Sequence, residues 1–425
     1  MAGVAPAGML EPLPAVAVSD PEPRLPWRIF AVPVVLALAT ATSPAIGDDR
    51  WTWSLNALAE LGYDDNWGLT VDNPADGFRF RLTPDVFVRW ETERALVEAD
   101  VGVRLERYFD LPEDSGRVDR QDPFAAVRGR YLLPYGAITG RAAYLEEALV
   151  DSFFQDGASV SRRGSRKLTS LEGAWTHELT ETSLIELAGT YEDSNYSERT
   201  LIDYTSYTAR LGLRQALSER TDGFVTVNGR FYRPDEEGLA GLLSQEQDAY
   251  YLQLGVTQAI SPTWSGVVSA GYGRIQNSRD DDLDNSENGW LAQLGLIYTG
   301  EYSRLSFGAS RDLLPSGAGE LAITNRVYVD ASRQLEERWE AGLSAFWAED
   351  SYPFESVLTN RVYTDSSRFE VSPRVSYTLT PSWRLGASYR YRWLDQDPAR
   401  GTVGPDGGAD SNAFFLTVTY VPERP

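Results

Sequence analysis

From Trp51 to Tyr420 apolar and polar residues alternate with a period of two. Trp383, Leu385, Ala387, Tyr389, Tyr391 and Trp393 share one parity; Arg384, Gly386, Ser388, Arg390 and Arg392 share the other. Phe78, Phe80, Leu82, Pro84, Val86, Val88 and Trp90 oppose Arg79, Arg81, Thr83, Asp85, Phe87 and Arg89. Trp290 to Tyr298 and Trp339 to Trp347 repeat the pattern. A period of two means strands with one apolar and one polar face.

Short turns punctuate this pattern at a spacing of roughly forty residues, room for two strands and one longer loop. They are Glu91-Thr92-Glu93, Leu133-Pro134-Tyr135, Leu179–Thr182, Leu217–Arg220, Ile260–Thr263, Thr299-Gly300-Glu301, Leu335–Arg338 and Leu379–Ser382. These eight turns join sixteen strands, and a strand at each end brings the expected total to eighteen. The longer connections alternate with them and are rich in Gly, Asp and Ser: Asp65–Gly77, Asp110–Gln121, Gln155–Arg166, Asp193–Asp203, Pro234–Glu246, Asn277–Glu287, Pro315–Glu320, Glu349–Asp365 and Asp395–Asp410. Short turns on one side and long loops on the other predict an all-β fold, a transmembrane antiparallel up-and-down β-barrel of about 18 strands.

The apolar face runs through many long strands, with aromatics at both strand ends (Trp383 and Trp393, Trp339 and Trp347) and small aliphatics between. That is the girdle of a lipid-facing surface. Lipid cannot satisfy a free sheet edge, so the sheet must close. The polar face then lines the lumen. Its arginines are Arg79, Arg81, Arg89, Arg104, Arg210, Arg214, Arg230, Arg374, Arg384, Arg390 and Arg392. Glu98, Asp100, Glu106, Asp330, Glu340 and Glu370 lie among them. At eighteen strands the interior is wider than side chains alone fill, so an aqueous passage is expected. No single loop is long enough to plug it, although several folding inward together could.

Composition adds exclusions. The chain has 12 Trp, 22 Tyr, 16 Phe and 36 Gly, which favours strands and tight turns. With no cysteine there is neither a disulfide framework nor thiolate chemistry. A single histidine, His177, removes a His-based metal cluster, and no cofactor is implied. A formal charge of -23 argues against nucleic-acid binding. Almost every cation is arginine; Lys167 is the one lysine. Residues 1–27 are Pro- and Ala-rich and read as disordered. Arg28, the apolar run Ile29–Ala39 and the small residues Thr40–Gly47 then have the three parts of a cleaved secretory signal. The expected division is 1–47 for the disordered start plus signal peptide and 48–425 for a single barrel.

The first strand runs into Tyr63-Asp64-Asp65-Asn66. An opening strand with that ending, just after a signal peptide, resembles the β-barrel porin 2 family, whose members often accompany exopolysaccharide or capsule operons. The resemblance implies a barrel over roughly residues 50 to 425, a Gram-negative outer-membrane location and no catalytic residues. Phe414, Leu416, Val418 and Tyr420 look like the C-terminal signal read by barrel-assembly machinery, with Val421–Pro425 extending beyond the aromatic.

Three further features invite chemistry. By parity His177 shares the outward face with Leu171, Trp175 and Leu179, as an interfacial residue with no serine placed to pair with it. Asp280–Asn285 suggests calcium, but an EF-hand loop wants Gly sixth and Glu twelfth, and here those are Asn285 and Leu291. Arg162–Lys167 reads as a basic patch on an outer loop, suited to lipopolysaccharide phosphates. The expected partners are outer-membrane lipid, lipopolysaccharide, the assembly machinery and polysaccharide. The arginine rows favour a porin-like passive channel for small polar or anionic solutes or saccharides. The alternatives are a non-conducting accessory barrel of a polysaccharide export system and an outer-membrane lipid-modifying enzyme. The latter needs a nucleophile beside a base, which the sequence does not offer.

Overall fold

Each alternating segment becomes a strand. In the computed structural model they are β1 (Arg50–Asp64), β2 (Gly77–Glu91), β3 (Ala95–Phe109), β4 (Arg120–Leu133), β5 (Gly136–Ala148) and β6 (Ser165–Thr180). Next come β7 (Ser183–Tyr196), β8 (Tyr204–Ser218), β9 (Thr221–Pro234), β10 (Gln245–Ala259), β11 (Trp264–Arg279) and β12 (Asn285–Thr299). The last are β13 (Ser303–Pro315), β14 (Leu321–Gln334), β15 (Trp339–Ser351), β16 (Ser366–Thr380), β17 (Trp383–Gln396) and β18 (Ala409–Tyr420). The structure describes residues 50–71, 74–109, 119–149, 151, 164–198, 201–235, 245–279, 285–317, 319–353, 365–396 and 408–422. The expected leader at 1–47, residues 280–284 of the acidic run and Arg162–Arg163 of the basic patch lie outside the described residues.

Every strand pairs antiparallel with its sequence neighbours. The ring closes where β1 meets β18, from Ala57 opposite Tyr420 to Asp64 opposite Ala413. Closure removes the two free edges that hydrocarbon could not hydrogen-bond.

All eight short turns fall where the sequence places them, and their chemistry is local. Ser261 Oγ accepts from the backbone N–H groups of Thr263 and Trp264, and Thr92 Oγ1 from that of Ala95. Hydroxyls at these positions stand in for a backbone turn. After Pro134-Tyr135 the chain passes through Gly136 at φ 156°, where a Cβ would lie 2.0 Å from the Thr176 carbonyl oxygen. Only glycine fits there. Beside three other turns the register slips: between Glu178 and Thr180, Ala216 and Ser218, and Thr378 and Thr380. Such slips re-aim a strand at a barrel rim.

The exterior carries two aromatic rings. On the short-turn side Trp51 meets Trp90, Trp264 meets Tyr298, Trp339 meets Tyr377 and Trp383 meets Tyr420, with centroids 4.8 to 6.0 Å apart. On the long-loop side Tyr63 meets Phe78, Tyr191 meets Tyr207, Phe231 meets Tyr250 and Tyr389 meets Phe414. Between them Leu187, Leu211, Val227, Leu252, Val268 and Leu294 are exposed. An apolar band between aromatic girdles on a closed, even-stranded barrel is the form of a Gram-negative outer-membrane protein. Part of this band is flat: Gly129, Gly140, Gly173 and Gly189 sit directly opposite one another across β4 to β7, and Ala209 and Gly229 continue the row onto β8 and β9.

Candidate functional site

Residues opposite the exposed apolar positions share the second face of the sheet. Hydrogen bonds that skip intervening strands show that this face points inward. The clearest come from the β13–β14 hairpin. β12 and β13 pair only from Ala292–Arg311 to Thr299–Arg304, and β14 rejoins β15 at Ile323 opposite Ser351. Beyond Arg311 the hairpin leaves the wall. Tyr232 Oη on β9 donates to the Ser316 carbonyl oxygen at 2.8 Å, and the Leu321 N–H donates to Gln247 Oε1 on β10 at 2.7 Å. The Ile202 N–H bonds the Gly317 carbonyl oxygen at 2.9 Å, and Arg230 donates to the Leu313 carbonyl oxygen. The tip therefore folds into the lumen over β11 and β12, where Leu313 and Leu321 pack with Tyr204, Tyr232, Ala249 and Ile275. Pro315–Glu320 is one of the long connections that the sequence allows to fold inward together. The unpaired polar backbone of this tip is satisfied inside.

The β1–β2 connection folds inward on the other side. Trp67 packs with Ala413 and Phe415 against Tyr108, and its indole N–H donates to the Gly77 carbonyl oxygen at 3.0 Å. Leu69 reaches Leu394, Ala409 and Phe346 on β15. The Tyr63–Asn66 motif is the clasp that holds this turn. Asp64 accepts from the Asn66 backbone N–H at 2.8 Å and from Ser411 Oγ at 2.7 Å. Asp65 accepts from both the backbone N–H and the side-chain amide of Asn412, and Asn66 Nδ2 donates to the Thr70 and Asp410 carbonyl oxygens. The motif thus ties the first strand to the last at the closure seam.

The arginines on this face fall into two environments. Toward the long loops they are buried and paired. Arg79 meets Glu60 at 2.5 Å and Glu106 at 3.6 Å, and stacks 4.7 Å over Trp67. Arg81 meets Glu106 at 2.5 Å; Arg390 meets Asp64 at 3.4 Å and stacks over Phe415. Arg392 meets Glu370 at 2.7 Å and Asp151, from the β5–β6 connection, at 3.3 Å. Arg104 has no ion pair or side-chain hydrogen bond among the described residues. It faces Asp122 of β4 directly and shares the inward face of β3 with Glu106. Toward the short turns the arginines are wetter. Arg89 and Arg128 share Glu98 at 3.2 and 2.7 Å, Arg210 meets Glu186 at 2.7 Å and Arg374 meets Asp330 at 3.6 Å. The Arg128 and Arg374 side chains are 57% and 42% exposed, against 3% for Arg79. Arg384 is exposed and Arg214 half-buried, both inward by register. Asp100 stays apart, with one buried oxygen lacking a hydrogen-bond partner.

Charge is also uneven around the ring. The inward positions of β10 and β11 from Gln247 to Asn277 are Gln, Ala, Tyr, Gly, Thr, Ser, Val, Ile and Asn, without a charge. Gln253 donates to Ser269 Oγ there at 2.7 Å. The guanidiniums and carboxylates lie on the other strands, including Glu186 of β7, Arg210 of β8 and Arg230 of β9.

The basic patch at Arg162–Lys167 does not persist among its described members. Arg166 belongs to β6, turns inward and is buried between Glu147 and Glu192, with Nε donating to Ser194 Oγ at 3.0 Å. Lys167 faces out beside Glu146 at 3.6 Å. His177 stacks on Trp175 with centroids 5.5 Å apart, on the outer face. Sequence reasoning passed over Glu60, Asp64, Arg326 and Arg368. Their strand parity, shared with Asp330 and Glu370, would have found the two arginines. Asp151 lies outside any strand and had no such signal.

No protein-family model matches the chain, and no curated protein matches it. Solved structures of similar fold include OccAB4 of Acinetobacter baumannii, at 11% identity and TM-score 0.45, covering 88% of this chain and 98% of that one. OccK2 (OpdF) of Pseudomonas aeruginosa gives 12% and 0.46, with the same coverage. A BenF-like porin from Pseudomonas fluorescens Pf-5 gives 10% and 0.44, covering 87% of this chain and 99% of that one. At such identity and superposition, what those barrels carry says nothing about this one.

Proposed function

We propose that this barrel is a passive channel of the outer membrane for small polar and anionic solutes. The observation that carries the reading is the short-turn half of the lumen, where Arg128, Arg210 and Arg374 stand partly solvated inside a closed wall. Fixed cations along a confined aqueous path raise the local concentration of anions. The uncharged amides and hydroxyls of β10 and β11 give the solute's neutral side hydrogen-bonding partners. The carboxylates among the arginines temper the field, so the preference for anions is modest.

The test is single-channel recording on refolded protein in a planar bilayer. Discrete conductance steps with a reversal potential on the anion side are expected under a salt gradient. No conductance, or strong cation selectivity, overturns the reading.

A further inference from the structure

The lipid-facing side of the wall does not end where β13 leaves it. On β13 Phe307, Ala309, Arg311 and Leu313 share one parity, and on β14 Val329, Val327, Asn325 and Ile323 stand opposite them. Below Arg311 these positions are outward, in register with Leu294 and Leu296 of β12 and with Ala345 and Trp347 of β15. Above it the hairpin turns behind the wall and carries the same face with it. Leu313 and Ile323 therefore lie against the inner side of the neighbouring strands, clustered with Leu321, Ile275 and the inward Leu291 of β12.

The displaced hairpin leaves an edge of β12 open. From Asn285 to Leu291 that strand pairs with β11 alone, and no other backbone bond reaches it among the described residues. A barrel ordinarily avoids such an edge by closure. Here it sits at the long-loop girdle, where Trp290 is exposed opposite Tyr272. Behind the edge there is room. A Cβ on the inward-facing Gly289 would meet nothing within 4 Å, and Leu291 and Ile323 are only half-buried. The wall thus has a slot with lipid on one side and an apolar interlayer on the other.

The rim of the slot is polar. Arg311 stacks 4.7 Å over Trp290 and donates to Asn325 Oδ1 at 2.8 Å, and Asn325 donates to Glu349 at 3.4 Å. The Arg311 Nε N–H has no acceptor. Arg274 stands exposed on the outer face opposite Asn288. Guanidiniums at headgroup depth suit a phosphate, and the apolar face on either side of the rim suits an alkyl chain.

We infer that the slot between β12 and β13 is a lateral binding site for a single-chain amphiphile with an anionic head, of the lysophospholipid class. The head stays at the Arg311 rim, at its own depth in the outer leaflet. The chain swings from the bilayer into the interlayer beside Gly289, Leu291 and Ile323. The room beside one glycine suits one chain. An extended peptide would pair with the open edge but leave this apolar space unfilled. The site goes beyond the channel reading: it opens the wall to a different class of molecule and does not need the lumen to conduct.

The test is photolabelling in the membrane. Lysophosphatidylglycerol with a diazirine on the last carbon of its chain is mixed into phosphatidylcholine vesicles that hold the full-length barrel, and the adducts are mapped by mass spectrometry. Any surrounding lipid labels the exposed Val268 and Leu294. Label on Leu291 and Ile323 is expected as well, whereas Leu145 and Leu168, inward on the fully paired β5 and β6, should stay clean. Gly289→Phe fills the room without a clash at Cβ, and is expected to lose the inner label while keeping the outer one. Arg311→Gln is expected to weaken the inner label alone. A heat-dependent gel shift confirms that each variant is folded. Label confined to outward residues overturns the inference. Equal label on Leu145 and Leu168 also does, because the probe then enters by the mouth of the barrel. An inner label that survives Gly289→Phe overturns the site, and one unchanged in Arg311→Gln overturns the headgroup assignment. Inner label without conductance steps sustains the slot while sinking the channel, and conductance without inner label does the reverse.

Discussion

The two halves of the lumen are made from the same strands and the same residue types, yet they use arginine differently. In the long-loop half Arg79 is sealed between two carboxylates and the Trp67 ring, and Arg368 is buried against Asp350. In the short-turn half Arg128 and Arg374 pair loosely and remain open to solvent. The difference comes from what folds over them. Trp67 and the tip of the β13–β14 hairpin cover the upper arginines, and nothing among the described residues covers the lower ones. Charge placed by strand parity is therefore structural at one end and a solvated field at the other.

Glu106→Gln is the severest way to test that contrast. Glu106 is buried and holds both Arg81 and Arg79. Breaking a buried pair leaves an uncompensated charge and costs about 3–5 kcal/mol. Asp330→Asn removes the partner of half-exposed Arg374 and should cost about 1 kcal/mol or less. Guanidinium chloride midpoints of the refolded barrel compare the two directly. Equal shifts would mean that the upper half is as solvated as the lower.

Leu321→Ala probes the cover rather than the charges. Leu321 is fully buried inside the lumen, and truncating such a side chain costs about 2–5 kcal/mol. The hairpin it anchors folds into the passage over β11 and β12, so the variant is expected to conduct better in a bilayer as well as unfold more easily. Unchanged conductance would show that the hairpin does not limit the path. Tyr232→Phe is a gentler form of the same change. It removes the hydrogen bond to the Ser316 carbonyl oxygen, worth about 1 kcal/mol, with a correspondingly smaller gain in conductance.

The wall was legible in the sequence and the cover was not. Strand number, short turns and inward parity follow from local rules, so Trp264 to Arg279 and Ser261–Thr263 announce themselves. The cover depends on contacts between residues far apart in the chain: Leu321 with Gln247, Leu69 with Leu394, Asp151 with Arg392. Periodicity carries no information about such pairs. Tyr204 and Tyr232 look like girdle aromatics, but their register turns them inward to pack beneath the hairpin. Tyr63–Asn66 illustrates the same limit differently: as residues it resembles a family mark, whereas its work as a clasp on Ser411 and Asn412 needs the closed ring.

The smallest effect on stability bears most directly on function. Arg374→Gln removes a charge 42% exposed on the inward face of β16, so stability should change by no more than about 1 kcal/mol. If the short-turn half supplies the field that favours anions, the reversal potential under a potassium chloride gradient should nevertheless move toward that of an unselective pore. The shift should be plain in dilute salt and fade near 1 M, where the screening length falls to about 3 Å. A buried counterpart such as Arg79→Met should do the reverse, weakening the fold while leaving the selectivity of whatever refolds nearly unchanged, because Arg79 and Glu106 are buried away from the solvated path. If Arg79→Met shifts selectivity and Arg374→Gln does not, the two halves have been assigned the wrong way round.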